Sequence, residues 1–277
     1  MVIDSKEFFK ELGIENPFGN TPEDKDAVKI ILDYIDIRDV DNPTEEMKLA
    51  AVKQNGLSIQ HIENPTKEMQ FIAVKENGHA IKHIENPCLE IQLAAVKQNG
   101  YAIQYIENPT KKMQLITVKQ DGWVIQFIKN PSEEVKLAAV KQDGWVIQFI
   151  KNPSEEVKLT AVKQNGWVIQ FIKNPSEEVK LTAVKQNGLA IQHIKNPTEE
   201  VQLAAVKQNY SAIYHIPNPS ETMQIIAIKQ HVPVRFNFNN PSAKVLKALY
   251  EENSEFAMRY FEKHPELFKQ ETLDKIK

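Results

Sequence analysis

Asn130–Lys151 reads NPSEEVKLAAVKQDGWVIQFIK, and the same block recurs with substitutions along most of the 277-residue chain. The Asn-Pro that opens it stands at 42, 64, 86, 108, 130, 152, 174, 196, 218 and 240, a constant interval of 22 with no insertion or deletion. Nine full units therefore fill 42–239. A worn relative (NTPEDKDAVKIILDYIDIRDVD) precedes them at 20–41, and another is expected after Asn240. A period held this strictly is the signature of stacked supersecondary units that share one continuous core.

Each unit is expected to hold two helices, one long and one short. Asn at unit position 1 reads as an N-cap, Pro at position 2 as the first helical residue, and an acid at position 4 or 5 suits the positive end of the helix dipole. The first helix runs through AVKQ and closes at Asn-Gly or Asp-Gly, where Gly56, Gly78, Gly100, Gly122, Gly144, Gly166 and Gly188 are expected in the left-handed conformation. A short second helix follows, such as Trp123 to Ile128, until the next Asn-Pro ends it. Strands lack the required alternation here, and Pro and Gly in every unit exclude a coiled coil.

The invariant apolar positions name the core. Position 11 is Val in eight units and Ile228 in the ninth, and positions 18 and 21 are Ile from Ile59 and Ile62 to Ile213 and Ile216. Position 8 is Leu, Phe or Ile, position 6 is Met, Ile or Val, and position 10 is Ala or Thr, small enough for close helix approach. One unit cannot bury these side chains alone, so stability should come from nearest-neighbour interfaces. The pattern predicts an all-α, right-handed helical-repeat solenoid in three parts. These are an N-terminal helical cap at 1–41, the nine repeats at 42–239, and a C-terminal helical cap at 240–277.

Composition limits the function classes. The formal net charge of −3 gives no global attraction to nucleic acid or an anionic membrane. Cys88 is the only cysteine, which fits a reducing compartment. The N-terminus turns polar at Asp4-Ser5-Lys6-Glu7 without an apolar signal core, and no apolar run is long enough to span a bilayer. The expectation is a cytoplasmic protein that does not engage a membrane.

The AVKQNG and NPSEE blocks resemble the uncharacterised tandem repeats of large DNA viruses, phages and some bacteria, whose core reads A-V-K-Q-x-G, over about 42–239. The resemblance implies a helical repeat fold, host cytoplasm if the source is viral, and no established activity. At a greater distance the architecture is similar to HEAT, armadillo and leucine-rich-repeat-variant solenoids, which mostly bind proteins or nucleic acids; fold alone does not fix function.

The positions that vary within the fixed frame point to a ligand surface. Position 16 reads Leu57, His79, Tyr101, Trp123, Trp145, Trp167, Leu189 and Ser211, and position 20 reads His61, His83, Tyr105, Phe127, Phe149, Phe171, His193 and His215. Position 19 is mostly Gln, and position 22 changes from Glu63, Glu85 and Glu107 to Lys129, Lys151, Lys173 and Lys195. At 100° per residue, 16 and 19 point away from the core face and 20 lies on its flank. Tyr101, Trp123, Gln126, Phe127, Lys129, Trp145, Gln148, Phe149, Lys151, Trp167, Gln170, Phe171 and Lys173 thus form the expected partner-binding set. The other reading packs these rings between repeats.

A protein is the expected partner. Nucleic acid, with bases on the Trp ladder and phosphates on the Lys edge, is the alternative. Against it, each Lys precedes the Glu pair of the next repeat, as Lys151 precedes Glu155 and Glu156. The lysines at position 12, Lys53 through Lys229, read as solvated helix-end charges. His79 and His83 at i, i+4 with His61 nearby could suit a metal, but there is no companion Cys and flank histidines are the simpler account. Recurrent pairs such as Glu133-Glu134 point about 100° apart and read as dipole-favouring surface charges. With no Walker loop, GxGxxG or GxSxG, no catalytic residue, cofactor or metal is expected.

Overall fold

The structure, a computed structural model, describes residues 3–4, 36–231 and 241–265. The chain divides into two compact units, Met1–Gln142 and Asp143–Lys277. Each unit is an all-α repeat solenoid. A ten-residue α-helix occupies positions 4–13 of every repeat, from Glu45–Gln54 in the first to Glu221–Gln230 in the ninth. A six-residue 3-10 helix follows at positions 15–20, from Gly56–His61 to Tyr210–His215. After the repeats come two amphipathic α-helices, Ala243–Glu252 and Ser254–Lys263, whose Val245, Leu246, Leu249, Ala257 and Phe261 pack with Ile228 of the ninth repeat. That is a helical C-terminal cap as far as residue 265. In the first unit, Ile3–Asp4 pairs in parallel with Val40–Asp41, a short ladder absent from the all-helical expectation. Most of the expected N-terminal helical cap, and the last repeat's decay at Val232-Pro233, lie outside the described residues.

The helix starts two positions later than the Asn-Pro pattern predicts. Position 3 is the N-cap, a Ser or Thr in every repeat but the third, where it is Cys88. The Thr44 hydroxyl accepts from Met47 N–H at 3.3 Å, and Ser176 from Val179 N–H at 3.2 Å, while Cys88 and Ser220 make no such bond. Asn at position 1 instead takes the left-handed conformation in eight repeats, with φ between 47° and 54°. Asn tolerates that region because its short polar side chain finds local partners. Left-handed Asn, φ-fixed Pro and a hydroxyl cap together turn the chain back into the next helix.

The glycines, in contrast, are not left-handed. The residue before each, Asn or Asp at position 14, is extended (φ −149° at Asn165) and serves both as C-cap of the α-helix and as N-cap of the 3-10 helix. Glycine stands at position 15 in the first seven repeats, where the next repeat comes close, and Tyr210 takes its place in the eighth. A Cβ on Gly166 would lie 2.3 Å from the Ala183 carbonyl oxygen, and one on Gly188 2.4 Å from that of Ala205.

Position 13 supplies a lock between repeats. The Gln186 carboxamide accepts from Gly166 N–H at 2.6 Å and donates to the Gln164 carbonyl at 3.1 Å, satisfying groups at the preceding helix end. In the first unit Gln98 does the same with Gly78 N–H at 2.7 Å and the Glu76 carbonyl at 3.2 Å. Gln186→Ala leaves the Gly166 N–H without its acceptor, and a loss of about 1–2 kcal/mol in urea denaturation is expected. Gln186→Glu keeps the acceptor and should cost less. An unchanged midpoint in Gln186→Ala would show that the lock contributes nothing to stability.

The core follows the expected positions except position 8, which lies on the outer side of the first helix and is only partly buried, with Phe71 exposed. Met47, Val52, Val162 and Val184 are fully buried, and the isoleucines at positions 18 and 21 of the first eight repeats are all buried, Ile59 and Ile62 being the first pair. In a 3-10 helix residues three apart eclipse, so positions 15, 18 and 21 fall on one face. Glycine at the head of that face lets the backbone of the next repeat approach, and the isoleucines fill the rest.

Candidate partner-binding surface

The 3-10 layer carries the expected site, and its geometry inverts the expected order of exposure. Phe127, Phe149 and Phe171 at position 20 are exposed at 37%, 37% and 38%, whereas Tyr101, Trp123, Trp145 and Trp167 at position 16 are half-buried. The cause is a contact between repeats. Position-16 rings set edge-to-face against the position-20 ring of the following repeat. In the first unit His79 meets Tyr105 at 5.8 Å and Tyr101 meets Phe127 at 5.9 Å between centroids. In the second, Trp145 meets Phe171 at 5.8 Å and Trp167 meets His193 at 5.3 Å. Such pairs contribute about 0.5–1.5 kcal/mol beyond the area they bury. The aromatics are thus divided by position: position 16 staples repeats together, and position 20 packs with one edge and leaves its outer part exposed to solvent.

Polar contacts reinforce the same step. The Tyr101 hydroxyl donates to Asp121 Oδ2 at 2.7 Å, while Asp121 Oδ1 accepts from Trp123 N–H at 2.8 Å. The hydrogen bond to the carboxylate, with burial adding to it, raises the Tyr101 phenol above its ordinary pKa. One repeat earlier, Asn99 Nδ2 lies 3.1 Å from His79 Nε2. Position 16 therefore belongs as much to the fold as to any surface.

Gln126, Gln148 and Gln170 are exposed, and each amide donates to the position-16 carbonyl three residues back, at 3.1, 3.1 and 3.2 Å. That bond closes the 3-10 turn and fixes the carboxamide on the surface. Lys129, Lys151 and Lys173 are exposed at its edge. Of the glutamate pair after Lys151, Glu155 is engaged elsewhere than with that lysine: it pairs with Lys158 at 3.5 Å and accepts from the Ser176 hydroxyl of the next repeat. In the first unit Glu134 pairs with Lys111, again across one repeat.

Two exposed aromatics join the expected set: Tyr105 at position 20, 37% exposed, and Tyr214 at position 19, 51% exposed. Tyr105 carries the same sequence signal as Phe127, an aromatic at position 20; Tyr214 carries none beyond replacing the usual Gln. The histidines do not converge on a metal: among the described residues no three His, Cys, Asp or Glu side chains are grouped to hold one. Burial, then Lys82 and His61, holds His83 below the ordinary imidazole pKa. Among the described residues, no helix is long and apolar enough to cross a membrane. No protein-family model matches the chain, and no curated protein or solved structure matches it.

Proposed function

We propose that the chain is a non-catalytic scaffold that binds a partner protein through the 3-10 layer of its central repeats. Its apolar anchors are Tyr105 and Phe127 in the first unit and Phe149 and Phe171 in the second. One observation carries this reading. Position 20 keeps a large aromatic exposed in four consecutive repeats, although the core is already closed by the isoleucines at positions 18 and 21 and by the position-16 staples. Each ring meets its neighbour with one edge only, and large rings left more than a third exposed are what protein interfaces select. Around them stand exposed Gln amides whose orientation is fixed by their own turn, and lysines at position 22, the polar rim such an interface needs.

Nucleic-acid binding is supported by the same lysines beside the same rings. It is the weaker reading, because the net charge is −3 and glutamates follow each lysine within five residues. The test is capture from an extract of the source cells by wild type and by Phe127→Ser/Phe149→Ser/Phe171→Ser. The protein-scaffold reading requires a protein that the variant fails to retain. Retention of a single-stranded oligonucleotide that falls with rising salt, and that Lys129→Glu/Lys151→Glu/Lys173→Glu abolishes, would replace it with the nucleic-acid reading.

A further inference from the structure

The α-helical layer carries a second pattern, independent of the aromatics. In the second unit, Glu155–Gln164, Glu177–Gln186 and Glu199–Gln208 lie side by side and point the same way. Their N-terminal ends are joined by the Ser176 and Thr198 hydroxyls donating to Glu155 and Glu177, and the C-terminal ends of the first two by Gln186 reaching Gln164. Positions 5 and 12 are seven residues apart, within about 20° of each other around the helix and roughly 10 Å along it. Position 5 is Glu156, Glu178 and Glu200; position 12 is Lys163, Lys185 and Lys207, and all six are exposed.

Among the described residues these charges take no part in the ion pairs of their own helices. The ion pairs of these helices are made by position 7 with position 4, Lys158 with Glu155 and Lys180 with Glu177. Among the described residues neither position 5 nor position 12 of these repeats stands in an ion pair. Between the two rows, on either side of the line that joins them, lie position 8, the partly exposed Leu159, Leu181 and Leu203, and position 9, the partly exposed Thr160, Thr182 and Ala204. The outward face is therefore an acidic row, a middle strip of Leu with Thr or Ala, and a basic row, repeated at a constant step.

We infer that this face docks a second copy of the same chain, turned by a two-fold axis along the stack so that the helices of the two copies run antiparallel. That rotation sets Glu156 against Lys163 of the other copy, Glu178 against Lys185 and Glu200 against Lys207, with each pair made twice, as an isologous interface requires. Leucine meets leucine between them. A second copy has the same repeat step by construction, so every rung matches. A polyanion laid along the lysines would instead run roughly 10 Å from a parallel row of glutamates.

Sedimentation velocity on the full chain at low ionic strength tests this. Wild type is expected to sediment as a dimer that dissociates as salt rises. Lys163→Glu/Lys185→Glu/Lys207→Glu makes both rows acidic and Glu156→Lys/Glu178→Lys/Glu200→Lys makes both basic. Each variant alone should be weakened on the order of a hundredfold and sediment as a monomer. An equimolar mixture of the two should dimerise again, which also shows that both are folded. A wild type that stays monomeric at every concentration, a single variant as dimeric as wild type, or a mixture that stays monomeric overturns the inference. So does a monomeric wild type that retains an oligo-dT probe which the Lys→Glu variant releases, since the lysine row would then serve nucleic acid.

Discussion

Gly166→Ala is expected to destabilise the chain by about 1–3 kcal/mol, lowering Tm by roughly 3–10 °C, although alanine is ordinarily the better helix former. The new methyl would sit 2.3 Å from the Ala183 carbonyl oxygen and 3.1 Å from its carbon, atoms of a helix backbone that cannot swing aside. The repeats must move apart or the 3-10 helix must tilt, and either loosens the Gln186 lock on Gly166 N–H. Gly100→Ala makes the contrast. Its nearest neighbour is Gln120 Oε1 at 2.9 Å, a side-chain end that can rotate, and the Thr117 carbonyl stands off at 3.4 Å. That substitution should cost less than about 1 kcal/mol. Equal losses at the two sites would show that close approach of the next repeat is not what position 15 is selected for.

Ile169→Ala should cost about 2–5 kcal/mol, the largest effect of any single substitution considered. Ile169 is 2% exposed on the inner face of its 3-10 helix, and removing its side chain leaves a void that flanking repeats have limited freedom to close. Phe171, two residues on in the same helix, is 38% exposed and gives up mainly its edge-to-face contact with Trp145. Phe171→Ala is therefore expected to cost about 0.5–1.5 kcal/mol. Urea denaturation of the two variants, compared at unchanged slope, checks the ratio. If Phe171→Ala were as costly as Ile169→Ala, position 20 would be a core position and not a spare surface.

Much of this is legible in the sequence. The Asn-Pro register, the valine at position 11, the isoleucines at positions 18 and 21, and the placement of a long and a short helix in each unit all follow from periodicity and propensity. Where sequence and structure differ, the deciding interaction is either local and ambiguous or lies one repeat away. Asn130 and Ser132 are both good N-caps, and Asn followed by Pro imitates a helix start. That Asn130 is left-handed, at φ 51°, is a fact of the turn between repeats. Gly166 resembles a helix C′ residue in sequence because its reason, the Ala183 carbonyl, belongs to the next repeat.

The same limit applies to the surface. At 100° per residue Trp145 should be at least as free as Phe149, but the second helix is 3-10 and its neighbour matters more than its own angle. Trp145 is covered by Phe171 of the following repeat, a contact that no single-unit wheel displays. The Gln at position 13 has the sequence signature of a polar helix end and is a bond between repeats. The tryptophans consequently make poor probes of partner binding, since removing them also loosens the stack.

The most direct measurement of the working surface pairs two readouts on one variant: thermal melting and quantitative capture from an extract of the source cells, for wild type and for Phe127→Ser/Phe149→Ser/Phe171→Ser. The predicted result is a variant that keeps its helical signal and a cooperative melt, yet retains the wild-type partner protein at least about tenfold less, a loss of about 1.4 kcal/mol or more. Equal retention of the same proteins by wild type and by this variant, with both folded, would contradict a scaffold that works through position 20.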